Sequence, residues 1–225
     1  MGNNYAYVWL LMMGDNYLPG ILVSAYSLKK TNTKYDLVAL ITNDVSEHAI
    51  NELNKIFDNV VKVEYIIKEY QYKNKKEKRK YPWMNKIHTK WNCLNLTRYE
   101  KIFFLDADTI ILQNIDSVFK EKRIAGTFYQ VKSNDTVKNS RVINYFGNKR
   151  VIDEKLIGKA LYKNGYVARA TSMLLHPNKK LFKQYKKMLK LLSRQKDKSK
   201  QLDTGSYSGA DEVYIAYFMS IYSKG

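Results

Sequence analysis

Cysteine is nearly absent. Cys93 is the only one in 225 residues, so no intramolecular disulfide can form and the chain suits a reducing compartment. Proline is scarce at 3, and hydrophobic residues make up 45%, which excludes a low-complexity chain and favours an ordered globular one. No apolar run approaches the roughly 20 residues that span a bilayer. Met1-Gly2 leads into neither a charged-then-apolar leader nor a myristoylation pattern, because position 6 is alanine. The expectation is a soluble, cytoplasmic protein with no membrane span. Acidic residues are also short: 21 Asp and Glu face 39 Lys and Arg, a net charge of +18.

That charge concentrates in Lys73-Asn-Lys-Lys-Glu-Lys-Arg-Lys80 and across residues 178–200. A basic balance suits nucleic acid, an anionic surface or a phosphorylated substrate. The competing reading is compositional bias, since Lys, Asn, Ile and Tyr are all abundant. No zinc motif, helix-turn-helix signature or aromatic-studded RNA motif accompanies the charge, so no specific nucleic-acid partner is expected.

The length allows one sizeable core, and residues 1–225 read as a single domain. Tyr5–Met13 is a continuous apolar strand ended by Gly14-Asp-Asn16. A helical pattern starts near Leu18, with Pro19 in its first turn and Ile21, Leu22, Ala25 and Leu28 on one face. Tyr35–Thr42 is a second strand, and Ser46 is placed to cap a helix bearing Ala49, Ile50, Leu53, Ile56 and Phe57. Asn59–Ile66 is a third strand. Residues 68–80 read as a surface loop, and Met84–Thr97 as a helix. Further strands are expected over Arg123–Gln130 and Thr171–His176. Leu181, Phe182, Tyr185, Met188, Leu189 and Leu192 form a helical stripe, and Ala210–Tyr222 a final helix. Alternating strands and helices predict an α/β fold, with a mostly parallel central sheet flanked by helices. Ligands in such folds sit at the carboxyl ends of the strands.

The chemistry concentrates in Lys101-Ile-Phe-Phe-Leu-Asp-Ala-Asp-Thr-Ile-Ile-Leu112. Read as one strand, it carries Asp106 and Asp108 to the same side. Two carboxylates inside apolar sequence call for compensation, and a hard divalent cation with oxygen ligands supplies it, usually together with a phosphate. Two solvated aspartates at a strand end are the competing reading.

The order of motifs resembles that of the glycogenin-like glycosyltransferases of family 8, to which plant xylan glucuronyltransferases are also similar. The resemblance runs through Ala6-Tyr-Val-Trp-Leu-Leu-Met-Met-Gly-Asp-Asn-Tyr17, Gly20-Ile-Leu-Val-Ser-Ala-Tyr-Ser-Leu28 and Asp36–Ser46. It continues through Thr89-Lys-Trp-Asn-Cys-Leu-Asn-Leu-Thr-Arg-Tyr99, the Asp-x-Asp run and Ile115-Asp-Ser-Val-Phe119. Residues 5–130 carry it well and the remainder loosely.

The resemblance implies a GT-A fold and retaining transfer of a hexose, glucose by default, from a UDP-sugar to a hydroxyl acceptor, with Mn²⁺ or Mg²⁺. It implies metal ligation by Asp106 and Asp108, with Ala107 between them at the nucleotide sugar. It puts Tyr17 against the uracil, Leu10 in the base pocket and Lys90 on the donor beside the metal. Asp211, in Gly209-Ala-Asp-Glu212, is implied near the transferred sugar as a catalytic residue, and a homodimer follows only by analogy. This chain departs from the family at Arg169-Ala-Thr171 and Glu212, and the family's late His-x-x-Gly segment is not evident. Only His48, His88 and His176 exist, and none is assigned to the metal. These departures keep open a second reading, a UDP-sugar-binding module without catalysis. The charge keeps open a third, a basic nucleic-acid-binding protein.

Overall fold

Strand β1 (Tyr5–Leu11) is the centre from which the rest is built. It is buried along nearly its whole length, which is why its sequence is continuously apolar rather than alternating. A computed structural model describes residues 4–69, 72, 74–130 and 166–194. Helix α1 (Leu18–Lys29) follows, then β2 (Asp36–Ile41), α2 (Glu47–Asn54) and β3 (Asn59–Lys62). A short helix, α3 (Lys75–Lys80), precedes two 3₁₀ stretches, Pro82–Asn85 and Ile87–Asn95. Then come β4 (Lys101–Leu105), a 3₁₀ turn at Asp116–Lys120, β5 (Ala125–Gln130), β6 (Tyr166–Leu175) and α4 (Lys179–Arg194).

The six strands form one mixed sheet in the order β3-β2-β1-β4-β6-β5, flanked by helices. The pairs β1–β2, β1–β4 and β2–β3 are parallel, and β4–β6 is antiparallel. Contacts divide the chain into two compact units. One is Met1–Ala125 with Thr171–Gln184, and the other is Gly126–Ala170 with Tyr185–Gly225.

In the first unit, Tyr5, Tyr7, Trp9 and Leu11 alternate onto one face of β1. There they join a core with Ile21, Ala25 and Leu28 of α1 and Ala49 and Leu53 of α2. The fully buried Trp9 donates from Nε1 to Ser24 Oγ at 2.8 Å, so its one polar atom is satisfied. Ser46 caps α2 as its sequence predicts, its hydroxyl accepting from Ala49 N at 3.1 Å.

Two local expectations are corrected. The helix expected over Met84–Thr97 is two 3₁₀ stretches, Pro82–Asn85 and Ile87–Asn95, and not one α-helix. Every side chain from His88 to Leu94 is buried, so the stretch has no solvent-facing side. Side-chain hydrogen bonds help to set its path: Thr89 Oγ1 accepts from Ile66 N, and Asn92 Nδ2 donates to Glu64 O. The basic run is not all loop either, because Lys75–Lys80 coils into one short helix of good helix formers. The helix expected over Ala210–Tyr222 lies outside the described residues.

Asp116 ties the amino edge of the sheet together. Its carboxylate accepts from Tyr7 Oη at 2.9 Å, Thr33 Oγ1 at 2.6 Å and Lys34 N at 3.2 Å. Burial works to raise the Asp116 carboxyl, but the hydrogen bonds from Thr33 and Tyr7 hold it below the usual carboxylate range. Its folded value is therefore the depressed one. The stabilisation is complete above the unfolded carboxylate value of about 3.9 and is lost as pH falls through the folded value. Asp116→Ala should cost about 2 kcal/mol at neutral pH, mainly through the stranded Tyr7 hydroxyl. Denaturant melts of both proteins should show the gap narrowing in acid. A gap that did not change with pH would refute the account.

Candidate active site

The carboxyl ends of β1 and β4 meet. The last pair of their register is Val8 with Phe104, so Leu10 and Asp106 each lie two residues past it. After Leu11 the chain reverses through Met13 at φ 64° and Gly14 at φ 77°. Glycine takes that left-handed conformation freely, whereas methionine does so at a cost of about 1–2 kcal/mol. The turn delivers Tyr17 to the start of α1, where its carbonyl accepts from Ile21 N at 3.0 Å and its ring is 58% exposed.

Two clamps hold this turn. Asp15 accepts from Ser46 N at 3.0 Å and from the Ser46 hydroxyl, and those bonds hold its carboxyl below the usual range. On the other side, Met13 N donates to Tyr65 Oη at 2.9 Å, and that hydroxyl donates to Asp44 Oδ2 at 2.8 Å. Thr42 Oγ1 also donates to Asp44, at 2.5 Å. Burial works to raise the Asp44 carboxyl, but Thr42 and Tyr65 hold it down.

The Asp-bearing segment is not the continuous strand that its sequence suggests. Strand β4 stops at Leu105, and Asp106–Thr109 is a turn closed by Thr109 N donating to Asp106 O at 3.2 Å. Ile110 and Leu112 are 64% and 91% exposed, so the second apolar run is not buried in the sheet. Asp106 N donates to Thr171 O at 3.0 Å, which anchors the turn to β6. Helix α1 closes on it from the other side. A Cβ added to Gly20 would lie 3.0 Å from Ala107 O, so only glycine allows this approach without a shift.

Lys90 enters from the 3₁₀ stretch and is buried. Its Nζ lies 3.5 Å from Asp106 Oδ1 and 5.6 Å from the Phe104 ring centroid. Asp108 is exposed to solvent. The structure thus places Leu10, Tyr17, Lys90, Asp106, Ala107 and Asp108 on the segments gathered at the carboxyl edge of β1 and β4. Asp211 and Glu212 lie outside the described residues.

Could this set hold a metal? Among the described residues, no three His, Cys, Asp or Glu side chains gather for one. Two carboxylates nonetheless fit a hard divalent ion that takes its other oxygens from phosphates and water. His176 does not join them. It follows Leu175, which pairs with Ile102 at the start of β4, the end opposite Asp106. Burial and nearby Lys101 lower its pKa, and its buried Nε2 has no hydrogen-bond partner among the described residues. Cys93, between Lys90 and the end of its 3₁₀ stretch, is fully buried, with its thiol pushed up to about 12 by desolvation.

Sequence reasoning missed the supporting residues Asp15, Gly20, Asp44 and Tyr65. Gly20 alone left a signal, as a glycine inside the first turn of a helix, where it weakens the helix unless close packing requires it.

The sequence profile of glycosyl transferase family 8 matches residues 9–205. The chain belongs to glycosyl transferase family 8. It is 36% identical over 115 residues to human glycogenin-1, covering 51% of this chain and 32% of that protein. An inositol phosphorylceramide glucuronosyltransferase of Arabidopsis thaliana is 34% identical over 115 residues, 51% of this chain and 20% of the relative. An uncharacterized protein of Acanthamoeba polyphaga mimivirus is 40% identical over 119 residues, 52% and 41% respectively. The chain therefore spans less than half the length of these curated relatives.

Among solved structures, core-mannan synthase A of Aspergillus fumigatus, in an Mn/GDP form, superposes with a TM-score of 0.54. It shares 10% identity and is matched over 97% of this chain and 70% of that one. The galactosyltransferase LgtC, bound to donor and acceptor sugar analogs, gives 0.51 at 14% identity, over 95% and 70%. At such identities these likenesses speak to the GT-A fold alone. No helix among the described residues is long and apolar enough to cross a membrane.

Proposed function

We propose that this family 8 chain moves a hexose, glucose by default, from a UDP-sugar to a hydroxyl acceptor with retention of configuration. The reading takes residues 1–225 as one cytoplasmic catalytic domain, homodimeric by analogy with the family. One observation carries it: the Asp106–Thr109 turn, wedged against Gly20, with buried Lys90 within 3.5 Å of Asp106 and exposed Asp108 on the same turn.

The barrier to sugar transfer falls when charge growing on the departing diphosphate is neutralised. Asp106 and Asp108 would hold a divalent ion, Mn²⁺ or Mg²⁺, which when bound would supply part of that neutralisation. Lys90 contributes a fixed positive charge at the same place with little reorganisation, because packing already holds its stem. Tyr17 offers an exposed ring face to the uracil, and Leu10 an apolar wall beside it. Asp211 is assigned to the transferred sugar on the resemblance alone.

The test is UDP release with Mn²⁺ across UDP-glucose, UDP-galactose, UDP-N-acetylglucosamine and UDP-xylose. Turnover of one donor is expected and names the sugar. UDP binding without turnover of any donor would replace this reading with the non-catalytic module that the Arg169-Ala-Thr171 departure favours.

A further inference from the structure

Given the donor site proposed above, on which this inference rests, the reversal between β1 and α1 has a mechanical task. Leu10 and Tyr17, the two residues assigned to the base, lie on either side of it. The conformation of Met12–Asn16 therefore sets the spacing and tilt between them. Of its two consecutive left-handed residues, Gly14 is at ease and Met13, which is not a glycine, makes the conformation costly. Something outside the turn has to hold it.

We propose that Tyr65 is a positioning residue of the nucleotide site, its hydroxyl bolting the Met13 amide to Asp44 so that Tyr17 is presented to the base in one pose. The bolt is fully specified. One oxygen accepts from Met13 N at 2.9 Å and donates to the Asp44 carboxylate, whose oxygens lie 2.8 and 3.0 Å away. Thr42 Oγ1 donates to the same carboxylate at 2.5 Å. Lys86 Nζ stands 4.3 Å from the Tyr65 ring centroid, so the ring is held apart from what its hydroxyl does. Tyr65 lies beyond the end of β3 and is half-buried. Removing its hydroxyl therefore leaves the sheet ladder intact while taking away the bonds to Met13 and Asp44 and a longer one, 3.3 Å, from Thr42 Oγ1. The Asp15–Ser46 clamp remains, so the turn should loosen rather than melt.

Tyr65→Phe keeps the ring under Lys86 and deletes only the oxygen. Its Kd for UDP with Mn²⁺ is expected to rise about five- to tenfold, the scale of one or two hydrogen bonds lost from a preorganised site. KM for the donor should rise by the same factor while kcat changes less than about twofold, the signature of lost uniform binding. Asp44→Asn keeps an amide oxygen for the tyrosine and should fall between wild type and Tyr65→Phe. Thermal melts should keep both variants fully folded at the assay temperature. If folded Tyr65→Phe binds UDP as wild type does, or loses kcat with KM unchanged, the bolt is structural only and the proposal fails. If wild type itself binds no UDP, the donor-site reading falls and takes this inference with it.

Discussion

Asp108→Ala is expected to abolish metal-dependent UDP binding and to lower donor turnover by about a hundredfold or more, the scale for losing a group that organises transition-state charge. Stability should barely move. Asp108 is exposed on a turn, and surface substitutions of that kind usually fall within about 0.5 kcal/mol. That separation makes the experiment decisive, because a folded but inactive variant cannot be attributed to collapse. Calorimetric titration of UDP with and without Mn²⁺, beside a thermal melt, reads both quantities. Retained UDP affinity with unchanged metal dependence would sink the assignment of this carboxylate.

Lys90 should give the second-largest effect, and through two channels that can be pulled apart. Its side chain is 9% exposed, against 30% for its partner Asp106, so the pair is shielded more than a surface bridge but is not fully dry. Losing it should destabilise the fold by roughly 1–2 kcal/mol, the range for hydrogen bonds to charged groups after allowance for Asp106's solvent access. Turnover should fall about a hundredfold as well, because a fixed cation no longer faces the leaving diphosphate. Lys90→Met retains much of the stem beside Phe104 and removes the charge. The expectation is recovery of part of the stability with none of the activity. A Lys90→Met protein that turned over donor at the wild-type rate would leave this lysine a structural role only.

The parts legible in the sequence are those where one physical signal dominates. β1 and β2 are buried parallel strands, so unbroken apolar runs mark them. Ser46 and Pro19 sit where helix starts require them. The sequence singles out Asp106, Asp108 and Lys90 as residue types, and the proximity of Lys90 to Asp106 agrees with that grouping, but the local geometry was not legible. Ile110 to Leu112 look like strand because they are apolar, yet only Ile111 is buried, and its amide is taken by Ser27 Oγ at 2.9 Å. Burial on every side hides the period of His88–Leu94, so that stretch reads as a helix when it is 3₁₀. The clamps at Asp15–Ser46 and Tyr65–Asp44 join residues 31 and 21 positions apart. No local pattern announces such pairs, because topology alone brings them together.

The lone cysteine has a practical consequence. Cys93 shares its 3₁₀ stretch with Lys90, has no solvent access, and holds its proton far above neutral pH. An alkylating reagent can therefore reach it only when that stretch lifts away from the sheet. The rate of thiol labelling in the unmodified protein is a direct clock for the opening of the segment that carries Lys90. No engineered probe is needed, and a nucleotide that seats on Lys90 should slow it.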